Sequence, residues 1–228
     1  IKGVLNGKGN LYTLSDDTKL ISKVFELVSF PIIAKAMEPY IKTWETEERQ
    51  TVYPDLTLIL SGPSPDKIAI DIKSTYRRDT NTVAGFTLGS YTASLRPPYT
   101  KNIRYPYTEY LEHWIVGFVY SRVPGIKPEV TSLNHYDKVI APITDVEVII
   151  HEKWQLASDR PGSGNTTNIG SIHDISALKE GKGTFTRYGA QGKEVFEDYW
   201  RNFDRAAPRK YSNIEEYLVW KRGENNIR

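Results

Sequence analysis

The chain has 228 residues, 39% hydrophobic and 25% charged, with a formal net charge of +2. That composition supports a sizeable core and excludes disordered, collagen-like and low-complexity chains. Cysteine is absent and there are four histidines, which excludes disulfides, zinc-thiolate centres and cysteine nucleophiles, argues against a His-rich cage, and leaves oxygen as the donor for any metal.

Apolar runs such as Trp114 to Tyr120 fall far short of the ~20 residues that span a bilayer, and no charged-then-apolar leader opens the chain. A soluble, untargeted protein is expected, and a chain opening on Ile1 is expected to have lost a short N-terminal stretch. Residues 1–14 read as a hairpin turned at Asn6-Gly7, which must dock elsewhere because two short strands do not stand alone. Ser15-Asp16-Asp17 can cap a helix whose apolar positions Leu20, Ile21, Val24, Phe25 and Val28 recur at helical spacing as far as Pro31. A second helical pattern runs through Ile33, Ala36, Met37, Tyr40, Ile41 and Trp44. Residues 53–60 and 67–73 are expected to form an antiparallel hairpin, joined by Ser61-Gly62-Pro63-Ser64-Pro65-Asp66. Pro106 can open a helix through Trp114, and strands are expected at 115–123 and 146–150. A glycine-, serine- and asparagine-rich loop covers 158–171, and Val195, Phe196, Tyr199, Trp200 and Phe203 mark an amphipathic helix. With no repeat and no long linker, this mixture points to one α/β domain with small appendages.

Charge is unevenly placed. Residues 71–104 hold six bases (Lys73, Arg77, Arg78, Arg96, Lys101, Arg104) against two acids, and residues 37–55 hold five acids against two bases. A solvated surface and a nucleic-acid-facing stretch both fit this pattern.

In Ile68-Ala69-Ile70-Asp71-Ile72-Lys73 the isoleucines share one strand face, which leaves Asp71 and Lys73 together on the other. In Pro54-Asp55-Leu56-Thr57-Leu58-Ile59-Leu60 the leucines share a face and Asp55 lies opposite them. If Leu60 pairs with Ile68, Asp55 faces Lys73 and Thr57 faces Asp71, all on one side of the sheet. Two carboxylates and an amine so gathered suit phosphodiester hydrolysis, because hard oxygens bind Mg²⁺ and the amine stabilises developing negative charge. An ordinary Asp-Lys surface pair is the competing reading. Glu26 lies opposite Leu20, Val24 and Val28 on its helix, as a solvated residue or as a third acid near metal.

The loop Gly162-Ser163-Gly164-Asn165-Thr166-Thr167-Asn168-Ile169-Gly170-Ser171 lacks dinucleotide spacing and the Gly-Lys-Ser/Thr of a P-loop. It remains a small-residue loop dense in donors and acceptors. Such a loop can enter a DNA major groove, where asparagine pairs with adenine and a threonine methyl meets the thymine methyl; a plain flexible loop is the alternative.

Taken together, Tyr53-Pro54-Asp55-Leu56-Thr57-Leu58, Ile68 to Lys73 and Gly162 to Ser171 closely resemble the type II restriction endonucleases of the PD-(D/E)xK superfamily. The likeness extends over nearly the whole chain, including Ser15 to Leu27, His113 to Arg122 and Asp198-Tyr199-Trp200-Arg201-Asn202. It implies an α/β fold with a restriction-endonuclease-like core, a mixed β-sheet flanked by helices, in a single domain over 1–228. Residues 1–14 and part of 124–145 would form a small dimerisation subdomain, and 15–123 with 146–228 the catalytic and DNA-binding core. The resemblance further implies a cytoplasmic bacterial homodimer that cuts double-stranded DNA at the centre of GATATC to blunt ends with 5′-phosphates. Mg²⁺ would be its cofactor, with Mn²⁺ able to substitute. Asp55 and Asp71 would be metal ligands, Lys73 the catalytic lysine and Glu26 an acid assisting an additional metal. Gly162, Ser163, Gly164, Asn165, Thr166 and Thr167 would form the major-groove recognition loop, with Gly162, Gly164, Asn165 and Thr166 facing the bases; Gln50 would be part of a minor-groove loop, and Lys101, Arg205 and Arg209 would contact the DNA. Arg49, Thr51 and Pro161 depart from the pattern. A structure-directed nuclease on the same core and a DNA-binding module without catalysis remain as alternatives.

Overall fold

The computed structural model describes residues 1–225 except 48, 50, 64–65, 98–101 and 163–166. The N-terminal hairpin forms as expected from strands β1 (Gly3–Leu5) and β2 (Asn10–Thr13), with Val4 opposite Tyr12. Asn6 turns it, its side-chain oxygen accepting the amides of Lys8 and Asn10.

Helix α1 (Thr18–Met37) is capped by Asp17, whose carboxylate accepts the Lys19 and Leu20 amides. It does not stop at Pro31. The proline removes one backbone donor, a cost of about 3 kcal/mol in a helix interior. Ile33 and Met37 beyond that point, with Phe30 just before it, pack on Leu56, Leu58, Ile70, Ile72 and Val116, and this burial offsets the penalty. The second helical pattern is therefore the end of α1, and its remainder is an edge strand, β3 (Ile41–Thr46). The buried stripe is also rotated from the expected one. Ile21, Phe25 and Ser29 face inward, whereas Leu20, Leu27 and Val28 are exposed.

Strands β4 (Leu56–Leu60) and β5 (Lys67–Tyr76) make the expected hairpin, with Leu58 opposite Ile68 and Leu56 opposite Ile70. The register differs from the expected one by two residues. An even slip preserves which side chains share a face, so the leucines and isoleucines still meet α1. β6 (Thr87–Ser90) and the one-turn helix α2 (Tyr91–Ser94) follow.

The helix expected from Pro106 to Trp114 is only a single 3₁₀ turn, Tyr107–Glu109, and β7 (Tyr110–Arg122) begins at once. β7 runs parallel to β5 along the whole length of β5, from Lys67 opposite Tyr110 to Tyr76 opposite Tyr120. A central parallel strand is covered on both sides and so carries no clean alternation to read. After β8 (Val130–Ser132), β9 (Ile143–Glu152) completes a five-stranded mixed sheet in the order β3-β4-β5-β7-β9.

The one-turn helix α3 (Lys153–Leu156) follows β9. The segment expected to be a loop over 158–171 begins and ends in strands β10 (Ala157–Pro161) and β11 (Asn168–Ser171), which join β6 in a second sheet. These strands approach closely: a Cβ on Gly170 would stand 2.8 Å from the Arg160 carbonyl. Helices α4 (Ile175–Glu180), α5 (Gly192–Asn202) and α6 (Ile214–Asn225) close the chain. Phe196, Tyr199, Trp200 and Phe203 of the expected amphipathic helix pack with Tyr91, Tyr211 and Tyr217 in the largest core cluster. β8 pairs with β2, so residues 1–14 and 130–132 share a third, separate sheet.

The phase of α1 is testable. Phe25 is buried and stacks on Phe118 at 4.2 Å, while Leu27 is 61% exposed. Phe25→Ala is expected to cost about 3–5 kcal/mol in urea unfolding and Leu27→Ala less than about 0.5 kcal/mol. Equal losses would contradict this placement.

Candidate active site

Asp55 stands one residue before β4, and continuing the β4/β5 register brings it level with Asp71 rather than with Lys73. The two acids and the lysine still share a sheet face, as parity requires. Asp55 Oδ2 accepts the Ile72 amide at 2.7 Å. Lys73 Nζ lies 2.8 Å from Asp71 Oδ1 and 3.6 Å from Asp55 Oδ2. This face is no ordinary charged surface: Thr57, Ala69 and Asp71 are buried. Tyr53, Tyr107, Tyr110 and His113 form a ring cluster beside it, and Tyr110 meets Thr57 hydroxyl to hydroxyl at 3.1 Å.

Asp55, Asp71 and Lys73 line a cavity of about 560 Å³. Burial, and then the charge on Asp71, push the Asp55 carboxyl up to about 7. Burial opposes the Asp71 charge as well, but Lys73 and Lys153 outweigh it and hold this acid below its ordinary value. Burial likewise works against the Lys73 ammonium, yet Asp71 and Asp55 keep it above the ordinary lysine value. Asp71 Oδ2 is buried, and among the described residues no donor reaches it. A buried carboxylate oxygen without a donor is costly unless a cation completes it. The donor set, hard oxygens from two acids, suits Mg²⁺.

Lys153 escaped the sequence reading. The antiparallel register pairs Glu152 with Trp114, so the next residue, Lys153, comes level with His113, which lies beside Ala69 on the acid face. Its ammonium sits 3.7 Å from the Tyr53 ring centroid, a contact worth about 2 kcal/mol when desolvated, and burial drives it down to about 7. Nothing local marks this residue; its place follows only from the pairing of distant strands.

Glu26 does not line the acid cavity. It borders a neighbouring one with Lys19, Lys23, Thr75 and Arg78, and Lys23 holds it at 2.5 Å, yet its charge still reaches Lys73 and helps to keep that ammonium charged. The basic stretch is also largely engaged within the chain. Arg77 binds Glu147 and the Asp145 carbonyl, Arg96 the Arg201 and Phe203 carbonyls, and Arg104 binds Glu45 and Glu47 of the neighbouring acidic block. Arg205 and Arg209 are exposed after α5. Gly162 and Thr167 stand at the two feet of the small-residue loop, and Thr167 and Asn168 border the acid cavity. Ser163, Gly164, Asn165, Thr166, Gln50 and Lys101 lie outside the described residues. No helix among the described residues is long and apolar enough to cross a membrane.

A mixed sheet flanked by helices, with an acid pair and a lysine facing one polar cavity, defines a restriction-endonuclease-like α/β enzyme. The family model for the restriction endonuclease EcoRV matches residues 1–222. The chain is 43% identical over 224 residues to the type II restriction enzyme EcoRV of Escherichia coli, covering 96% of this chain and 89% of that one. It is also similar to the solved structure of the NlaIV restriction endonuclease, at 13% identity, 91% and 83% coverage of the two chains and a TM-score of 0.33. The chain belongs to the EcoRV family of restriction endonucleases and is a site-specific deoxyribonuclease.

The acid pair makes a pH prediction. With its carboxyl titrating near 7 when folded and 3.8 ordinarily, Asp55 keeps an extra proton in the folded state between those values. Metal-free protein therefore loses stability through this group as pH rises from about 4 to about 7. Asp55→Asn removes that loss, so in urea unfolding with chelator its stability should gain on the parent's across this window, by a few kcal/mol at the upper end. A constant difference between the two proteins would refute the assignment.

Proposed function

We propose that this enzyme cuts both strands of duplex DNA at the centre of GATATC, leaving blunt ends with 5′-phosphates, as a cytoplasmic homodimer using Mg²⁺, with Mn²⁺ able to substitute. One observation carries this reading. Asp55 and Asp71 meet at Lys73 in a polar cavity, one carboxylate oxygen there has no donor among the described residues, and Thr167 and Asn168, at one foot of the small-residue loop, border the same cavity.

Asp55 and Asp71 would hold the metal, which when bound supplies Lewis acidity toward the scissile phosphate and makes water more acidic. Lys73, kept charged by both acids, donates to a phosphate oxygen. It thereby stabilises the charge that grows as a water oxygen bonds to phosphorus in line and the bond to the 3′-oxygen breaks. Glu26 is ion-paired to Lys23, so service at an additional metal requires that pair to open. The loop Gly162 to Thr167 enters the major groove, where Gly162, Gly164, Asn165 and Thr166 face the bases, and Gln50 belongs to a minor-groove loop, while Lys101, Arg205 and Arg209 meet phosphates. The central TA step unstacks easily, which adds specificity through the cost of deforming other sequences.

Dimerisation is assigned to residues 1–14 and part of 124–145. Val4, Tyr12 and Val130 lie in one row across β1, β2 and β8, all exposed, and a second copy would cover such an apolar row.

A plasmid digest with Mg²⁺ and sequencing of the fragment ends tests the reaction. Blunt ends within GATATC are expected. Cutting directed by branched or damaged structure would favour the repair-type alternative, and no cutting the inactive module. Asp71→Ala and Lys73→Ala should each lower cleavage by at least about 100-fold, and undiminished cutting by either would remove it from the mechanism. For the assembly, Tyr12→Glu is expected to shift the sedimenting species from dimer toward monomer. A variant that sediments as the parent does would move the interface elsewhere.

A further inference from the structure

Lys153 is 2% exposed, and among the described residues no carboxylate lies within 4.0 Å of its ammonium. A buried ammonium normally has a carboxylate partner, because losing water without one is costly. This one rests instead on the face of Tyr53 and borders the cavity that holds Asp55, Asp71 and Lys73.

Its seat is itself fixed. His113 Nε2 lies 3.2 Å from the Tyr107 carbonyl, which can only accept, so Nε2 carries the proton and the Tyr53 hydroxyl donates to Nδ1 at 2.6 Å. The Tyr53 backbone is pinned on both sides, its amide donating to Asn102 and its carbonyl accepting from Arg104. Pro54 alone separates Tyr53 from Asp55, and a proline transmits position with little freedom. Formal charges in the cavity cancel, with Asp55 and Asp71 against Lys73 and Lys153.

We propose that Lys153 is a positioning residue of the active site: seated on Tyr53, it fixes how Asp55 enters the sheet and balances the acid pair before a divalent cation binds. The inference rests on reading Asp55 and Asp71 as the cation's ligands.

Mn²⁺ binding to DNA-free protein, followed by electron paramagnetic resonance, tests it beside kcat and KM on a GATATC duplex. Lys153→Met keeps length and bulk but removes the charge. Mn²⁺ should then bind roughly 3- to 10-fold more tightly, because one repelling cation has left. At the same time kcat should fall about tenfold with KM within about twofold, because Asp55 is less well placed. Lys153→Arg keeps the charge and is expected to return Mn²⁺ affinity to the parent value. A lysine that only fills space predicts unchanged or weaker Mn²⁺ binding in Lys153→Met, and that result overturns the proposal.

If Lys153→Met does not fold, Tyr53→Leu carries the test by removing the seat while keeping the charge. Its kcat must fall with Mn²⁺ affinity within about twofold, and an unchanged kcat overturns the proposal. Failure of the underlying reading looks different: Asp71→Ala would bind Mn²⁺ as well as the parent does, and the acid pair would not be the cation site.

Discussion

Asp55 and Asp71 repel one another on a half-buried face of the sheet, and the ammonium of Lys73, 2.8 Å from one acid and 3.6 Å from the other, is what lets both stay there. Two like charges in a low-dielectric site cannot ionise independently, which is why one acid is pushed up and the other held down. The same strain makes the site useful. A pair of carboxylates that is poorly neutralised by its own surroundings has a standing affinity for a divalent cation, and a lysine held charged by those acids is ready to meet a phosphate.

The scaffold converts strand geometry into this arrangement. β4 and β5 present leucines and isoleucines to α1 on one side and the acids and Lys73 on the other. β7, lying parallel to β5, brings His113 alongside Ala69 and Gly117 alongside Lys73. Gly117 matters here by what it lacks: a Cβ there would stand 2.7 Å from the Phe86 ring. The second sheet then sets one foot of the small-residue loop, Thr167 and Asn168, at the cavity edge. The acid pair and the strands that flank the small-residue loop thus belong to two different sheets that meet at one opening.

Short-range signals in the sequence were read correctly where geometry is local. The Asn6-Gly7 turn, the Asp17 cap, the β4/β5 hairpin and the aromatic face of α5 all depend on neighbours a few residues apart. The errors fall where distant packing overrides local preference. Pro31 did not end α1, because residues beyond it bury against the sheet. Residues 110–114 became strand rather than helix, because β5 offers an unbroken parallel partner. The basic run of 71–104 fits a solvated surface and a nucleic-acid-facing stretch alike from sequence, and it is tertiary pairing that ties Arg77, Arg96 and Arg104 to groups remote in the chain.

Alternation by itself determined that Asp55, Asp71 and Lys73 share a sheet face, because a strand's side chains alternate whatever its neighbours do, and an even slip in register leaves that sharing intact. The kinds of residue also limited the chemistry to oxygen ligands and a lysine. Tertiary structure alone decided that this face lines a cavity, that Lys153 arrives on Tyr53 beside it, and that Glu26 pairs with Lys23 in a neighbouring cavity. These outcomes depend on contacts between strands and helices far apart in the chain, and such contacts leave no periodic mark in the sequence for a local pattern to reveal.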